Sequence, residues 1–127
     1  MAKHKTLGQV YTPKWIVNEI LDLVNYKGKH ILEKYVLEPS SGDGAFLLEI
    51  IDRYINACLE NNFANDEIIE RLGKYIYAIE IDKIEFNKSI NNLNEFVKIK
   101  LQTEKKVNWN IFNDNTLYLY KNYLKFF

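Results

Sequence analysis

Three short apolar runs alternate with long amphipathic stretches, and this alternation most restricts what the chain can fold into. Tyr35-Val36-Leu37, Tyr75 to Ile81 and Val107 to Phe112 read as strands. Between the first two, Phe46, Leu47, Ile50, Ile51, Tyr54, Ile55, Cys58 and Leu59 recur at helical spacing. Those positions form one broad apolar stripe. Between the last two runs, Phe86, Ile90, Leu93 and Val97 mark a further helix. Strands that alternate with helices imply a parallel sheet with helices on its faces. The first strand is read as buried.

Local signals fill in the remainder. Thr12 is expected to cap a helix that Pro13 opens and that runs to about Asn25 on Ile16, Val17, Ile20, Leu21 and Val24. Threonine is a good cap, and proline is tolerated at the first helical position. Asn61 to Gly73 reads as an extra short helix capped by Asn65 or Asp66. Residues from Thr116 onward are expected to be helical. At 127 residues the whole chain, 1–127, is one domain at most.

Charge argues against a self-sufficient DNA-binding module. The net charge is zero, yet residues 31–95 hold six basic and thirteen acidic residues. Both ends are basic. An acidic middle repels phosphate, so a DNA-binding surface would have to come from elsewhere. No stretch approaches the roughly 20 apolar residues of a membrane span, and the first residues lack the apolar core of a signal peptide. With Cys58 alone, no internal disulfide can form. These features lead us to expect a cytoplasmic protein without membrane contact. Cys58 sits on the apolar stripe and is expected to pack in the core. His4 and His30 have no metal-ligand spacing, so no metal site is expected. The aromatic residues from Tyr118 to Phe127, with Trp15 and Trp109, read as packing groups rather than base-stacking ones.

Four segments carry chemistry. Val36-Leu37-Glu38-Pro39-Ser40-Ser41-Gly42-Asp43-Gly44-Ala45-Phe46 joins a strand to a helix. Gly42 and Gly44 permit a sharp turn and close ligand approach, and the helix start offers free N–H donors. A pyrophosphate is disfavoured there, because Glu38 and Asp43 would repel it. A sulfonium cofactor bearing an ammonium and no phosphate suits these acids. Ile79-Glu80-Ile81-Asp82 ends the second strand; its acid either accepts ribose hydroxyls or caps the next helix, and capping suits Asp82 better. Gly8-Gln9-Val10-Tyr11-Thr12-Pro13 is, taken locally, a loop and a capped helix. Asn113-Asp114-Asn115 is either an Asx-type turn or a contact to an adenine ring.

In this order, these segments resemble the adenine-N6 DNA methyltransferases of bacterial restriction–modification systems, in the subgroup whose cofactor motifs precede the catalytic motif. The resemblance spans roughly residues 7–118. It implies a partial Rossmann-like methyltransferase fold: three parallel strands with flanking helices and an N-terminal helix. It implies S-adenosylmethionine as cofactor. Thr12 and its loop would close over the methionine end. Glu38, Ser40, Gly42 and Gly44 would line the methionine and ribose. Glu80 would take the ribose hydroxyls with Ile81 against the adenine, and Asp114 or Asn115 would bind the adenine amine. One departure is spacing: Glu80 lies 42 residues beyond Glu38, which the Asn61–Gly73 insertion accounts for. The other is an absence. The family's Asn- or Asp-Pro-Pro-aromatic motif needs adjacent prolines, and Pro13 and Pro39 are the only two here. No catalytic residue is therefore assigned. DNA would be met through parts missing from this chain, and a complementary subunit or self-association is expected. The competing readings are a non-catalytic remnant that acts by assembly, or a piece of a methyltransferase for RNA, protein or small molecules.

Overall fold

The computed structural model describes residues 12–39, 42 and 44–114. Helix α1 (Lys14–Leu23) is followed by a 3-10 turn (Lys29–Ile31), strand β1 (Val36–Glu38) and helix α2 (Ala45–Glu60). Helix α3 (Asn65–Tyr75) runs directly into β2 (Ile76–Ile79); α4 (Lys83–Leu101) and β3 (Asn110–Phe112) complete the order. The strands form one parallel sheet ordered β1-β2-β3. The expected α/β architecture is present; β1 is shifted by one residue from its apolar run, and β2 and β3 are shorter than theirs. Tyr75, expected to open the second strand, closes α3 instead.

The core lies between one face of the sheet and the helices. Ile76, Ala78 and Ile111 point to this face and are buried, with Val36 half-buried beside them. Leu47, Ile50, Ile51, Tyr54, Ile55 and Cys58 of α2 fill the space above. Successive side chains of a strand alternate between faces, so Leu37, Tyr77, Ile79, Asn110 and Phe112 point the other way. There Leu37 is 46% and Phe112 41% exposed, and the neighbouring Tyr35 is 64% exposed. The expectation of a buried first strand is therefore corrected. Periodicity marks a run as apolar, but a cover on both faces is needed to bury it. Among the described residues, β1 has no strand on its outer edge.

Cys58 is fully buried, and burial pushes its thiol up to about 11. The core role expected for it holds. Tyr54 donates its hydroxyl to the Leu32 carbonyl at 2.6 Å, so its polar tip is satisfied inside the core. Arg71 ties α3 to the segment before β1: it donates to the Leu32 carbonyl at 3.2 Å and to Glu33 at 3.1 Å. Its guanidinium also stands over the Phe63 ring, 4.5 Å from the centroid.

Three local expectations shift. Helix α1 begins at Lys14 with Pro13 in the cap position; the Pro13 carbonyl accepts from Ile16 and Val17, and no side chain caps the helix. Thr12 does not cap the helix, because Pro13 has an extended ψ of 149° and itself takes the cap position. Of the five apolar positions expected to mark this helix, Val24 lies just past its end and only Val17 and Leu21 are buried. Helix α3 is preceded by Ala64 without a side-chain cap. Asn65 instead donates to the Leu101 carbonyl at 2.9 Å, and Asp66 pairs with Lys105 at 2.6 Å. In α4 the buried line is Glu85, Ser89, Leu93, Val97 and Leu101, one residue every four. Phe86 and Ile90, which mark the helix in the sequence, are half-buried beside this line.

Candidate functional site

The carboxyl ends of three parallel strands open on the same edge of the sheet, where ligands of α/β folds gather. Glu38 ends β1, Glu80 follows β2 and Asn113-Asp114 follow β3. The sheet register sets these ends side by side: Glu38 is level with Ala78, and Ile79 with Phe112.

Glu80 is the centre of the arrangement. It is 3% exposed. One carboxylate oxygen accepts the Gly42 N–H at 2.6 Å and the other accepts the Asp82 N–H at 2.7 Å. Its own N–H donates to the Phe112 carbonyl at 2.8 Å, which extends the ladder past the end of β2. A carboxylate offers about four lone-pair directions, and these two backbone donors occupy two of them. The remaining capacity is that of a double acceptor, which suits a pair of hydroxyl donors.

The glycine turn meets Glu80 from the β1 side. Gly42 has φ +57° and Gly44 φ +91°, both left-handed values that favour glycine. Gly44 stands immediately before α2, whose first turn presents free N–H groups. A side chain at Gly44 would meet Ser89: an added Cβ would lie 2.8 Å from the Ser89 Oγ.

Asp82 caps α4, as its position in the sequence leads one to expect. One of its oxygens accepts from Ile84 N at 2.8 Å and from Glu85 N at 3.1 Å. Between the two acids, Ile81 turns out to solvent, 67% exposed. An apolar side chain held outward beside a buried carboxylate offers a flat contact for an aromatic ring. Asn113 clamps this corner by donating from Nδ2 to the Glu80 carbonyl at 2.7 Å and to the Ile81 carbonyl at 3.0 Å.

Of the site residues expected from sequence, Gly42 and Glu80 are joined by a hydrogen bond. Glu38, Gly44, Ile81 and Asp114 stand on the same strand-end edge. Thr12 is exposed ahead of α1. Ser40 and Asn115 lie outside the described residues, as does the helix expected from Thr116.

No family model matches the chain. Over 103 residues it is 31% identical to the Type II methyltransferase M.BstVI of Geobacillus stearothermophilus, a match covering 80% of this chain and 18% of that protein. Over 75 residues it is 39% identical to the Type II methyltransferase M.PaeR7I of Pseudomonas aeruginosa, covering 58% of this chain and 13% of the relative. Its homologues are Type II methyltransferases. The chain spans less than a fifth of the length of the curated relatives it matches. Solved structures share the fold. The DrdV–DNA complex superposes with a TM-score of 0.63 at 20% identity over 91% of this chain and 11% of its own. The ATP-dependent Type ISP restriction–modification enzyme LlaBIII bound to DNA gives 0.60 at 16% identity over 80% of this chain and 7% of its own.

Sequence reasoning missed two residues at this site. Asn113 was legible as a turn former, but its grip on the end of β2 is a contact over 33 residues of chain. Ser89 carried a fainter signal: a small polar residue four positions before Leu93, on the buried line of its helix.

Proposed function

We propose that this segment binds S-adenosylmethionine at the strand ends, as the cofactor half of a DNA adenine-N6 methyltransferase. The observation that carries the reading is the buried Glu80 carboxylate, which clasps the Gly42 turn and keeps acceptor capacity beside exposed Ile81. The ribose hydroxyls donate to Glu80 and the adenine lies on Ile81, with Asp114 or Asn115 at its amine. Glu38, Ser40, Gly42 and Gly44 line the methionine and ribose, and Thr12 closes over the methionine end. Acids at this edge favour an ammonium-bearing cofactor over a pyrophosphate. The cytoplasm is the compartment that fits this role.

The same reading separates binding from chemistry. A flipped adenine needs polar acceptors for its N6 and an aromatic ring to stack on, and no Pro-Pro-aromatic segment occurs in these 127 residues. Titration calorimetry with S-adenosylmethionine should show a single site on the chain. Incubation with labelled cofactor and mixed-sequence duplex DNA should leave the DNA unlabelled. Absence of cofactor binding overturns the cofactor reading, and labelled adenine overturns the separation of binding from catalysis.

The remainder of such an enzyme would supply the catalytic motif, the DNA contacts and a cover for the sheet. The edge of β1, unpaired among the described residues, and the exposed Tyr35, Leu37 and Phe112 are surfaces that invite association. By itself, the 127-residue chain should therefore pair with a second copy. Light scattering across a concentration series checks this: a rising mass is expected, and a constant monomer mass overturns it.

A further inference from the structure

Ser89 lies in the second turn of α4, and it is fully buried. Its hydroxyl has no hydrogen-bond partner among the described residues. What it touches is the glycine turn. A Cβ added to Gly44 would lie 2.8 Å from Ser89 Oγ, 3.4 Å from its Cβ and 3.5 Å from its Cα. The Oγ distance is closer than a real Cβ allows while the backbone distance is ordinary contact, so the size of the side chain at position 89 limits how the turn packs on α4.

This contact closes a mechanical loop. The start of α4 is tied to Glu80, because the Asp82 N–H binds one Glu80 oxygen. The glycine turn is tied to the other Glu80 oxygen through the Gly42 N–H at 2.6 Å. Seven residues after Asp82, the rigid helix meets the turn again at Ser89 and Gly44. A larger side chain at position 89 has nowhere to go, since the site is buried. It must lever the turn away from α4 and stretch the Gly42–Glu80 hydrogen bond.

We infer that Ser89 is a positioning residue: its small side chain beneath Gly44 sets the distance at which the Gly42 turn meets Glu80, and thereby the shape of the cofactor site. The consequence for cofactor affinity rests on the reading given under Proposed function. The consequence for the Gly42–Glu80 hydrogen bond does not, because it belongs to the protein alone. Size is the operative property, so alanine is an adequate replacement. It fits the same space and removes a hydroxyl that has no partner.

The test uses the 127-residue chain with uniform 15N labelling, as wild type, Ser89→Ala, Ser89→Val, Glu80→Gln and the Glu80→Gln/Ser89→Val double variant. The Gly42 amide proton reports its hydrogen bond to the Glu80 carboxylate. It should resonate downfield in wild type and Ser89→Ala, and move upfield in Ser89→Val in the direction that Glu80→Gln moves it. In S-adenosylmethionine titrations Ser89→Val should lose about tenfold or more in affinity, the scale expected when a binding group is displaced by a fraction of an ångström. Ser89→Ala should stay near wild type. The double variant should bind no more weakly than Glu80→Gln, because Ser89 acts through Glu80; a purely structural role would give additive losses. An unmoved Gly42 amide in Ser89→Val, or additive losses, overturns the inference. If Ser89→Val does not fold, Ser89→Cys, enlarged by a single sulfur for oxygen, gives the same readouts with the same expected signs. If wild type binds no cofactor, the cofactor reading falls while the Gly42 amide still decides the role of Ser89.

Discussion

Replacing Glu80 by alanine should weaken the protein twice over, in stability and in cofactor affinity. Glu80 is buried and accepts the Gly42 and Asp82 N–H groups at 2.6 and 2.7 Å. Alanine leaves two donors without acceptors in a site that excludes most water, and a buried unsatisfied group costs about 1–3 kcal/mol. The expected loss is about 2–4 kcal/mol in urea unfolding. Affinity for S-adenosylmethionine should fall on the order of a hundredfold, since the two ribose hydroxyls lose a charged acceptor. Glu80→Gln separates the two effects. It keeps the shape and one acceptor oxygen but sets its amide group against the other N–H donor, so it should lose less stability than alanine and still lose affinity. Calorimetry under conditions where circular dichroism shows both variants folded reads the binding term. Equal affinity in wild type and Glu80→Gln would remove Glu80 from the ribose role.

Gly44→Val should be the most damaging substitution in the turn. Gly44 sits at φ +91°, where a β-branched residue is strained by about 1–3 kcal/mol. The new side chain also enters the space of Ser89, whose Oγ would be 2.8 Å from the first added carbon. Together these effects should cost about 3 kcal/mol or more, which lowers the melting temperature of a domain this size by roughly 10 °C. Gly44→Ala meets the same strain with fewer added atoms and should lose less. Its loss should be partly recovered in the Gly44→Ala/Ser89→Ala double variant, since removing the Ser89 hydroxyl takes away the nearest clashing atom. Thermal melts of the single and double variants measure this coupling. Additive losses would mean that residues 44 and 89 do not press on each other.

The architecture was largely legible in the sequence. Strand, glycine turn and helix follow one another between Val36 and Phe46, and the chemistry of that string is local. Cys58 was readable as a core residue because an α2 stripe of eight apolar positions contains it. Asp82 was readable as a cap because it directly precedes a helix. The errors also have a pattern. The caps assigned to Thr12 and to Asn65 or Asp66 failed because proline geometry and a tertiary bond to Leu101 outweighed side-chain preference. The buried line of α4 was not legible, because Phe86 and Ile90 outweigh Glu85 and Ser89 in hydrophobicity, yet the smaller Ser89 is what the glycine turn admits.

The sequence by itself determined that the chain is α/β, that its glycines and acids lie at strand ends, and that its homologues are methyltransferases. These follow from periodicity, turn chemistry and residue order, all of which act over a few residues. Only the tertiary structure decided that Glu80 clasps Gly42 across 38 residues, that Asn113 clamps the end of β2, and that Ser89 lies beneath Gly44. It also decided that β1 lies exposed on one face. Each of these depends on which surfaces the folded helices bring into contact, and contact between distant segments is set by packing in three dimensions rather than by the order of residues along the chain.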